Sequence, residues 1–270
     1  MIVGVGSKSS NKADHLSEED VPVELRRLWR LSTPQRLGRP AELDLERVVI
    51  TAVHLADRYG LRGATLPKIA KALERTTMSL YRYVSSKDEL LGLMQDYAVG
   101  PPPKIPATEG EWRPPLRRWA CAERMIYQRR PWLARVPISG PPAGPNQIAW
   151  MEAALRILRG TGLHWAEKVG ILTLLSMYVR QMSILSQELE HGREGTGLDQ
   201  TATEQLYGRC LAKLIDPETF PETARLFASG VFEASSPKAS NDPRKDPDFR
   251  FGLERILDGT AVAIARRKRR

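Results

Sequence analysis

Thr76-Thr77-Met78-Ser79-Leu80-Tyr81-Arg82-Tyr83-Val84 is the stretch on which the fold turns. Leu80 and Val84 stand four apart, so on a short helix over Thr77–Val84 they share an inward face. Thr77, Met78, Tyr81 and Arg82 then fall largely on other faces. Thr76 supplies a hydroxyl where a helix start needs an acceptor. Downstream, Ser86-Lys87-Asp88-Glu89 has the form of a capping box and opens a longer helix, with Leu90, Leu91, Leu93, Met94 and Tyr97 available for packing. Upstream, Thr65 caps a helix that tolerates Pro67 in its first turn and buries Ile69, Ala70 and Leu73. Before that, Leu45, Val48, Val49, Ala52, Val53, Ala56 and Tyr59 recur at helical spacing, and Gly60 stops the run. Three helices, the last two short and joined at Glu74-Arg75, make a helix-turn-helix unit. Such a unit needs a short second helix with a buried stripe and a polar outer face that enters a major groove.

Outside this block, Pro and Gly mark the joints. Residues 1–24 are polar and mixed in charge, and Val23–Leu31 has the makings of a short helix before Pro34 and Gly38-Arg39-Pro40 break the chain. Gly100-Pro101-Pro102-Pro103 ends the dense block. A second helical region begins after Pro114-Pro115 and is interrupted at Gly140–Pro145, Gly192–Gly197 and Ser235–Pro247. No run alternates apolar and polar residues with β-branched enrichment, so strand is not expected. The predicted class is all-α: a flexible N-terminal extension with a basic arm over 1–40, a three-helix helix-turn-helix DNA-binding domain over 41–100, and a larger C-terminal helical domain for ligand binding and dimerisation over 101–270.

The 270 residues carry 41 Lys or Arg against 32 Asp or Glu, a net charge of +9. Between Arg26 and Lys87 stand thirteen basic residues and five acids, and Arg266–Arg270 are all basic. A basic surplus placed on the helix-turn-helix block suggests a polyanion partner, although a solvated surface has the same composition. Two cysteines, Cys121 and Cys210, exclude a disulfide framework. The longest nearly apolar run, Val169–Val179, is too short to span a bilayer, and Met1–Lys8 lacks the form of a secretory signal, so a cytoplasmic protein without a membrane partner is expected. Neither cysteine sits in a His-based signature, and no phosphate loop, HExxH or paired CxxC is present, so an enzyme is not expected.

Leu43–Val99, above all Thr77–Val84 followed by Lys87-Asp88-Glu89-Leu90-Leu91, resembles the DNA-binding domain of TetR-family transcriptional regulators. Pro131-Trp132-Leu133, Gly144-Pro145-Asn146 and Phe249–Gly259 resemble, more loosely, the C-terminal domain of the tetracycline-repressor type. The resemblance implies a homodimer, a small-molecule effector of unknown identity held in each C-terminal domain, and release from a double-stranded operator when that site fills. Carried over by position, Thr77, Met78, Ser79 and Arg82 face bases, and Thr65, Tyr81, Tyr83 and Lys87 face phosphates; Thr76, and Arg39 by its charge, are further DNA-contact candidates. Two positions depart from the family: Glu74 stands where a turn glycine is common, and Pro67 where a polar or basic residue is common. His15, His54, His164 and His191 lie outside 131–145 and 172–185, which argues against a tetracycline–magnesium site; no metal or other cofactor is expected.

Each assignment has a plainer counterpart. Arg36 and Arg39 are either an arm along phosphates or a charged linker. Arg82 suits a bidentate pair with guanine, or a phosphate. Tyr81 and Tyr83 can be partly core. Trp119, Met125, Tyr127, Met177, Tyr178 and Met182 suit an adaptable effector cavity, or ordinary core. Ala166–Leu189 and Phe249–Ile264 carry more apolar surface than one chain hides; the resemblance implies that they pair into an intermolecular four-helix bundle, and an intrachain bundle is the alternative. The function expected is a ligand-responsive regulator, a repressor rather than an activator. A DNA-architectural protein without sequence preference, or a ligand-binding adaptor without operator recognition, are the other classes the sequence allows.

Overall fold

The structure, a computed structural model, describes residues 20–31, 44–106, 110–233 and 242–269. The described residues form eleven α-helices and no strand. The basic-arm residues Arg36 and Arg39 lie outside them, as do residues 235–241 of the polar stretch.

Helix α2 (Leu45–Tyr59) starts where the Asp44 carboxylate accepts the Arg47 backbone N–H at 2.7 Å. Its stripe of Val48, Val49, Ala52, Val53 and Ala56 is buried. Tyr59, expected on that stripe, is instead 56% exposed; it sits in the last turn, where the stripe has rotated past the core edge, under the Arg58 guanidinium. Helix α3 (Leu66–Ala72) buries Ile69 and Ala70, and α4 (Thr77–Leu80) buries Leu80. Together with Val84 and with Leu90, Leu93 and Met94 of α5 (Lys87–Val99), these residues form the N-terminal end of a hydrophobic cluster that continues into the C-terminal domain through Leu116, Trp119 and Trp150.

Ahead of this unit, α1 (Val23–Leu28) is an ordered helix inside the segment expected to be flexible. Its Arg27 guanidinium bonds the Glu89 carboxylate at 3.0 Å and the Ser85 hydroxyl at 2.7 Å, tying α1 to the start of α5. The Trp29 indole N–H then donates to the Ala143 carbonyl at 2.8 Å, so the extension touches the C-terminal domain as well.

The C-terminal domain is built on α6 (Arg113–Arg129), α7 (Pro145–Ile157), α8 (Trp165–Arg193) and α11 (Pro247–Lys268), with α9 (Gln200–Leu214) and α10 (Pro221–Ala228) as a side hairpin. Helix boundaries follow the expected breaks: Pro145 opens α7, α8 ends at Arg193, and Pro247 opens α11. The break between α9 and α10, at Asp216-Pro217, was not anticipated. Pro217 offers no backbone donor, and the Asp216 carboxylate instead takes the Glu218 N–H at 3.0 Å and the Thr219 hydroxyl at 2.6 Å, turning the chain locally.

Helix α6 is bound to α11 by charge. Arg113 bonds Glu254 at 2.7 Å and also pairs with Asp258, while Arg117 pairs with Glu254. Those guanidiniums, Arg117 first, hold the Glu254 carboxyl down at about 2. Helix α8 crosses the same pair through Leu172, Leu175 and Val179, all buried. It is long and apolar, with a mean hydropathy of 1.3 over its best 18-residue window, and only the face carrying Leu172, Leu175, Val179 and Ser183 is buried.

Candidate nucleic-acid interface and the enclosed polar site

The expected recognition element is presented outward. Helix α4 is shorter than the sequence suggests, four residues rather than eight. The Leu80 carbonyl accepts both the Tyr83 N–H at 2.9 Å and the Val84 N–H at 3.1 Å, so the backbone tightens into a turn after one helical winding. Thr76 caps α4 as expected: its Oγ1 accepts the Ser79 N–H at 3.3 Å, and the Ser79 hydroxyl returns a bond to the Thr76 carbonyl at 2.7 Å. Leu80 and Val84 are wholly buried, while Met78 is 76% exposed and Arg82 projects into solvent beside Tyr81. Thr77 and Ser79 are half-buried at the edge of that face. Tyr83 is half-buried, with part of its ring packed on the core.

Thr65 and Lys87 flank this surface. Thr65 is the N-cap residue of α3, yet its hydroxyl makes no capping bond. Lys87 is the exposed first residue of α5, where its charge opposes the helix dipole. The expected capping box at this point is only half formed. The Ser86 hydroxyl accepts the Glu89 N–H at 3.0 Å, but the Glu89 carboxylate bypasses Ser86 and takes the Ser85 N–H, because Arg27 draws it toward α1.

The α3–α4 turn is tight even though Glu74 replaces the expected glycine. Arg75 N–H bonds the Ala70 carbonyl at 2.9 Å and Glu74 N–H bonds Lys71 at 3.1 Å, which is a Schellman closure. That closure forces Glu74 into the left-handed region, with φ at 54°.

A buried joint links this unit to the C-terminal domain. Asp96, near the end of α5, is buried. Its carboxylate accepts the Gln147 N–H at 3.0 Å and the Asn146 amide at 3.2 Å, at the start of α7. Burial nevertheless pushes its carboxyl above the usual range. Gly144 is the only residue type that fits here, since a Cβ would stand 2.1 Å from the Asp96 carboxylate. Trp150 donates to the Gly100 carbonyl at 2.9 Å, and on the far side Asp57 of α2 receives Trp132 and Arg130. An open cleft of about 430 Å³ lies between Tyr59, Arg62, Trp132, Arg135 and Gln187.

The expected effector residues divide. Trp119 is buried edge-on to Trp150, 5.8 Å between rings, and donates to its carbonyl at 3.1 Å; it is core. Tyr178 stacks on Phe249 at 5.6 Å and donates to the Phe249 carbonyl at 2.9 Å. Gly252 leaves room for that ring, since a Cβ would stand 2.3 Å from the Tyr178 hydroxyl. Tyr178 therefore clamps α8 to α11. Met125 and Met177 are exposed on the outer faces of α6 and α8. Their helical phase, one and two residues off the buried stripes, turns them away from the interior. Met182 packs partly buried against the core.

Tyr127 is different. It is half-buried on α6, packed against the core, and burial pushes its phenol well above the usual range. One turn earlier on α6, Glu123 is half-buried, and its carboxylate accepts the Ser176 hydroxyl at 3.3 Å. Arg180, one turn beyond Ser176 on α8, acts on Tyr127 through its charge. Glu123, Ser176 and Arg180 were missed in the sequence. Their signal was present as two i, i+4 polar pairs, one on each of two facing helices.

The chain's relatives share this architecture. A profile for the tetracyclin repressor-like C-terminal domain matches residues 105–264. The chain is 33% identical to the HTH-type transcriptional repressor DrrR1 of Streptomyces coeruleorubidus over 269 residues, covering 97% of this chain and 94% of that protein. The chain belongs to the TetR family. Its all-helical fold, with an N-terminal helix-turn-helix and a C-terminal regulatory domain, is the family's, and it is a DNA-binding, ligand-responsive transcriptional regulator. It is 25% identical to the class E tetracycline repressor of Escherichia coli, over 84% of this chain and 95% of that one. Among solved structures, ActR of Streptomyces coelicolor in complex with actinorhodin superposes with a TM-score of 0.65 at 27% identity, over 83% of this chain and 99% of ActR.

Proposed function

We propose that this TetR-family member is a cytoplasmic, homodimeric repressor that leaves a palindromic operator when a small molecule occupies the interior of its C-terminal domain. The carrying observation is the pairing of an outward recognition surface with a rigid joint. Met78 and Arg82 stand free while Leu80 and Val84 are sealed in the core, and the same unit is bonded to the sensing domain through Asp57 and Asp96. A change in α6 or α7 therefore reorients the recognition surface as a body. Thr77, Met78, Ser79 and Arg82 are the base-facing set; Thr65, Thr76, Tyr81, Tyr83 and Lys87 steer the backbone of the duplex.

Two-fold symmetry is supported by the apolar surface left on α8 and α11. Leu174, Met177 and Leu185 on the first, and Phe251 and Val262 on the second, are exposed large side chains on long helices. Such faces pair into a four-helix bundle between chains. DrrR1 is named a transcriptional repressor, and ActR has been solved with actinorhodin and with (S)-DNPA, which favours a sensor of small organic compounds here.

Selection of bound DNA from a random pool tests the reading. A palindrome with half-sites about one helical turn apart is expected. Recovery of sequences without symmetry, at a specificity ratio near one, overturns it.

A further inference from the structure

We propose that α1 is a strap that carries the position of the α7 start to the recognition end of α5, with Arg27 and Trp29 as positioning residues that set the spacing of operator half-sites. The inference rests on the reading of the chain as a dimer on a palindromic operator, and adds the element that fixes the angle of each recognition surface.

The strap is tied at both ends. At one end the Arg27 guanidinium donates, through a single nitrogen, to the Glu89 carboxylate at 3.0 Å and to the Ser85 hydroxyl at 2.7 Å. These partners lie in the loop and first turn that directly follow Tyr81 and Arg82. The Glu89 side chain is only 3% exposed, so its cation cannot be replaced by water without a large penalty. At the other end the Trp29 indole N–H donates to the Ala143 carbonyl at 2.8 Å, just ahead of α7. Between the two, Leu28 packs against the hydrophobic cluster.

The backbone is closed at the same place. Leu31 N–H bonds the Arg26 carbonyl at 2.9 Å and Arg30 N–H bonds that of Arg27 at 3.1 Å, with Arg30 in the left-handed region at φ 55°. The Arg30 side chain donates to the Arg27 carbonyl at 2.9 Å and to Glu46 of α2 at 3.0 Å. A non-glycine residue keeps that conformation where its surroundings hold it.

Ala143 is also where the direct joint begins. The Gln147 side chain accepts the Ala143 N–H at 3.0 Å, and the Gln147 N–H donates to Asp96 at 3.0 Å. The start of α7 therefore grips α5 twice, at Asp96 directly and at Glu89 through α1. Those two points are about 10 Å apart along the helix axis. One grip leaves α5 a pivot, and two fix its tilt. A tilt of about 6° about Asp96 would carry the Glu89 end by about 1 Å, more than a hydrogen bond to a base edge tolerates.

The test uses the full chain with two substitutions, Arg27→Met and Trp29→Phe, the second keeping a ring and losing the indole N–H. Amide hydrogen exchange of the free protein is read at the end that each variant does not touch. Trp29→Phe is expected to speed exchange over residues 83–91 about threefold or more, and Arg27→Met to do the same over residues 143–148. Binding is then measured on the palindrome selected from a random pool, and on versions with the half-sites moved by one base pair, about 3.4 Å. The wild type is expected to lose about tenfold or more on the shifted sites, and both variants about threefold or less. A helix that only stabilises the protein would lower the melting temperature and leave that ratio unchanged. Arg27→Met leaves Glu89 buried without its cation, so Trp29→Phe, at an exposed ring, decides the matter should that variant not fold.

Exchange that quickens only beside the substitution, or a spacing penalty as steep in the variants as in the wild type, overturns the proposal. A wild type that selects no palindrome overturns the dimeric-operator reading instead, and the exchange comparison alone then decides whether α1 couples α7 to α5.

Discussion

The Trp132 indole N–H donates to Asp57 Oδ1 at 2.7 Å, joining the sensing domain to the last turns of the first helix in the DNA-binding unit. The Arg130 guanidinium reaches the same carboxylate at 3.1 Å, and its other arm donates to the Ala98 carbonyl at 2.8 Å. Asp57 and Arg130 together are thus the pin through which the turn after α6 holds α2 and α5. Asp57→Ala is expected to destabilise the protein by about 2 kcal/mol and to split its thermal unfolding into two transitions. Asp57→Asn keeps an acceptor for Trp132 and costs roughly half as much. Calorimetry reads both; a single unshifted transition in Asp57→Ala would show that the joint carries no coupling.

Arg82 and Lys87 are distinguishable by the way they bind. Arg82→Ala removes a guanidinium suited to guanine and is expected to cost about 1–3 kcal/mol on the preferred operator while relaxing base preference. Lys87→Ala weakens all sequences similarly and lowers the salt slope by about one. Binding titrations on matched and mismatched duplexes at several salt concentrations separate the two. Identical profiles for the two variants would remove the base-reading role from Arg82.

Glu74 sits at φ 54° in the turn between α3 and α4. A side chain there costs on the order of 1 kcal/mol, which glycine avoids. Glu74→Gly is expected to raise stability by up to about 1 kcal/mol, read from the urea midpoint. A lowered midpoint would mean that the Glu74 side chain compensates for its backbone.

Arg124 is buried in α6, with its guanidinium 4.2 Å from the Phe249 ring and paired to Asp246. Its Nε and Nη1 have no partner. A buried charge that is only partly satisfied contributes little net stability, but unpairing it is costly. Asp246→Ala, which also removes the acceptor for the Phe249 N–H at 3.0 Å, is expected to cost about 3 kcal/mol or more. Arg124→Met is expected to lie within about 1 kcal/mol of the wild type. Denaturant titrations of the two variants should therefore differ widely; equal losses would contradict this account.

Glu123 makes stability depend on pH with a definite sign. Its folded-state carboxyl is raised from 4.5 to about 7 by burial. Between these values the unfolded chain gives up a proton that the folded chain keeps, so stability falls as pH rises through this window and levels off above it. The full loss is on the order of 3 kcal/mol. Glu123→Gln is expected to match the wild type near pH 4.5 and to exceed its melting temperature by pH 8. A difference that stays constant with pH would place the carboxyl in water.

Much of the molecule was legible before any coordinate. The helical period of Val48–Ala56, the Thr76 cap and the buried pair Leu80 and Val84 are local features, set by spacing and by hydroxyl placement, and they appear where the sequence puts them. The exposed Met78 and Arg82 follow from the same geometry, because a helix that hides one face must show the other. The interior of the C-terminal domain was not legible in this way. Trp119, Tyr178, Met125 and Met177 have similar composition and similar helical neighbours, yet two are structural contacts and two face outward.

The sequence by itself determined the class of fold, the helix-turn-helix and its outward face, since caps, periods and turn residues act within a few positions of one another. Tertiary structure alone decided that Glu89 turns to Arg27 and Ser85, that Asp57 receives Trp132, and that Glu123 meets Ser176 across two helices. Those partners lie from four to seventy-five residues apart, and what joins them is the rotation of each helix about its axis against its neighbours. Packing of whole faces sets that rotation, and no short window of residues encodes it.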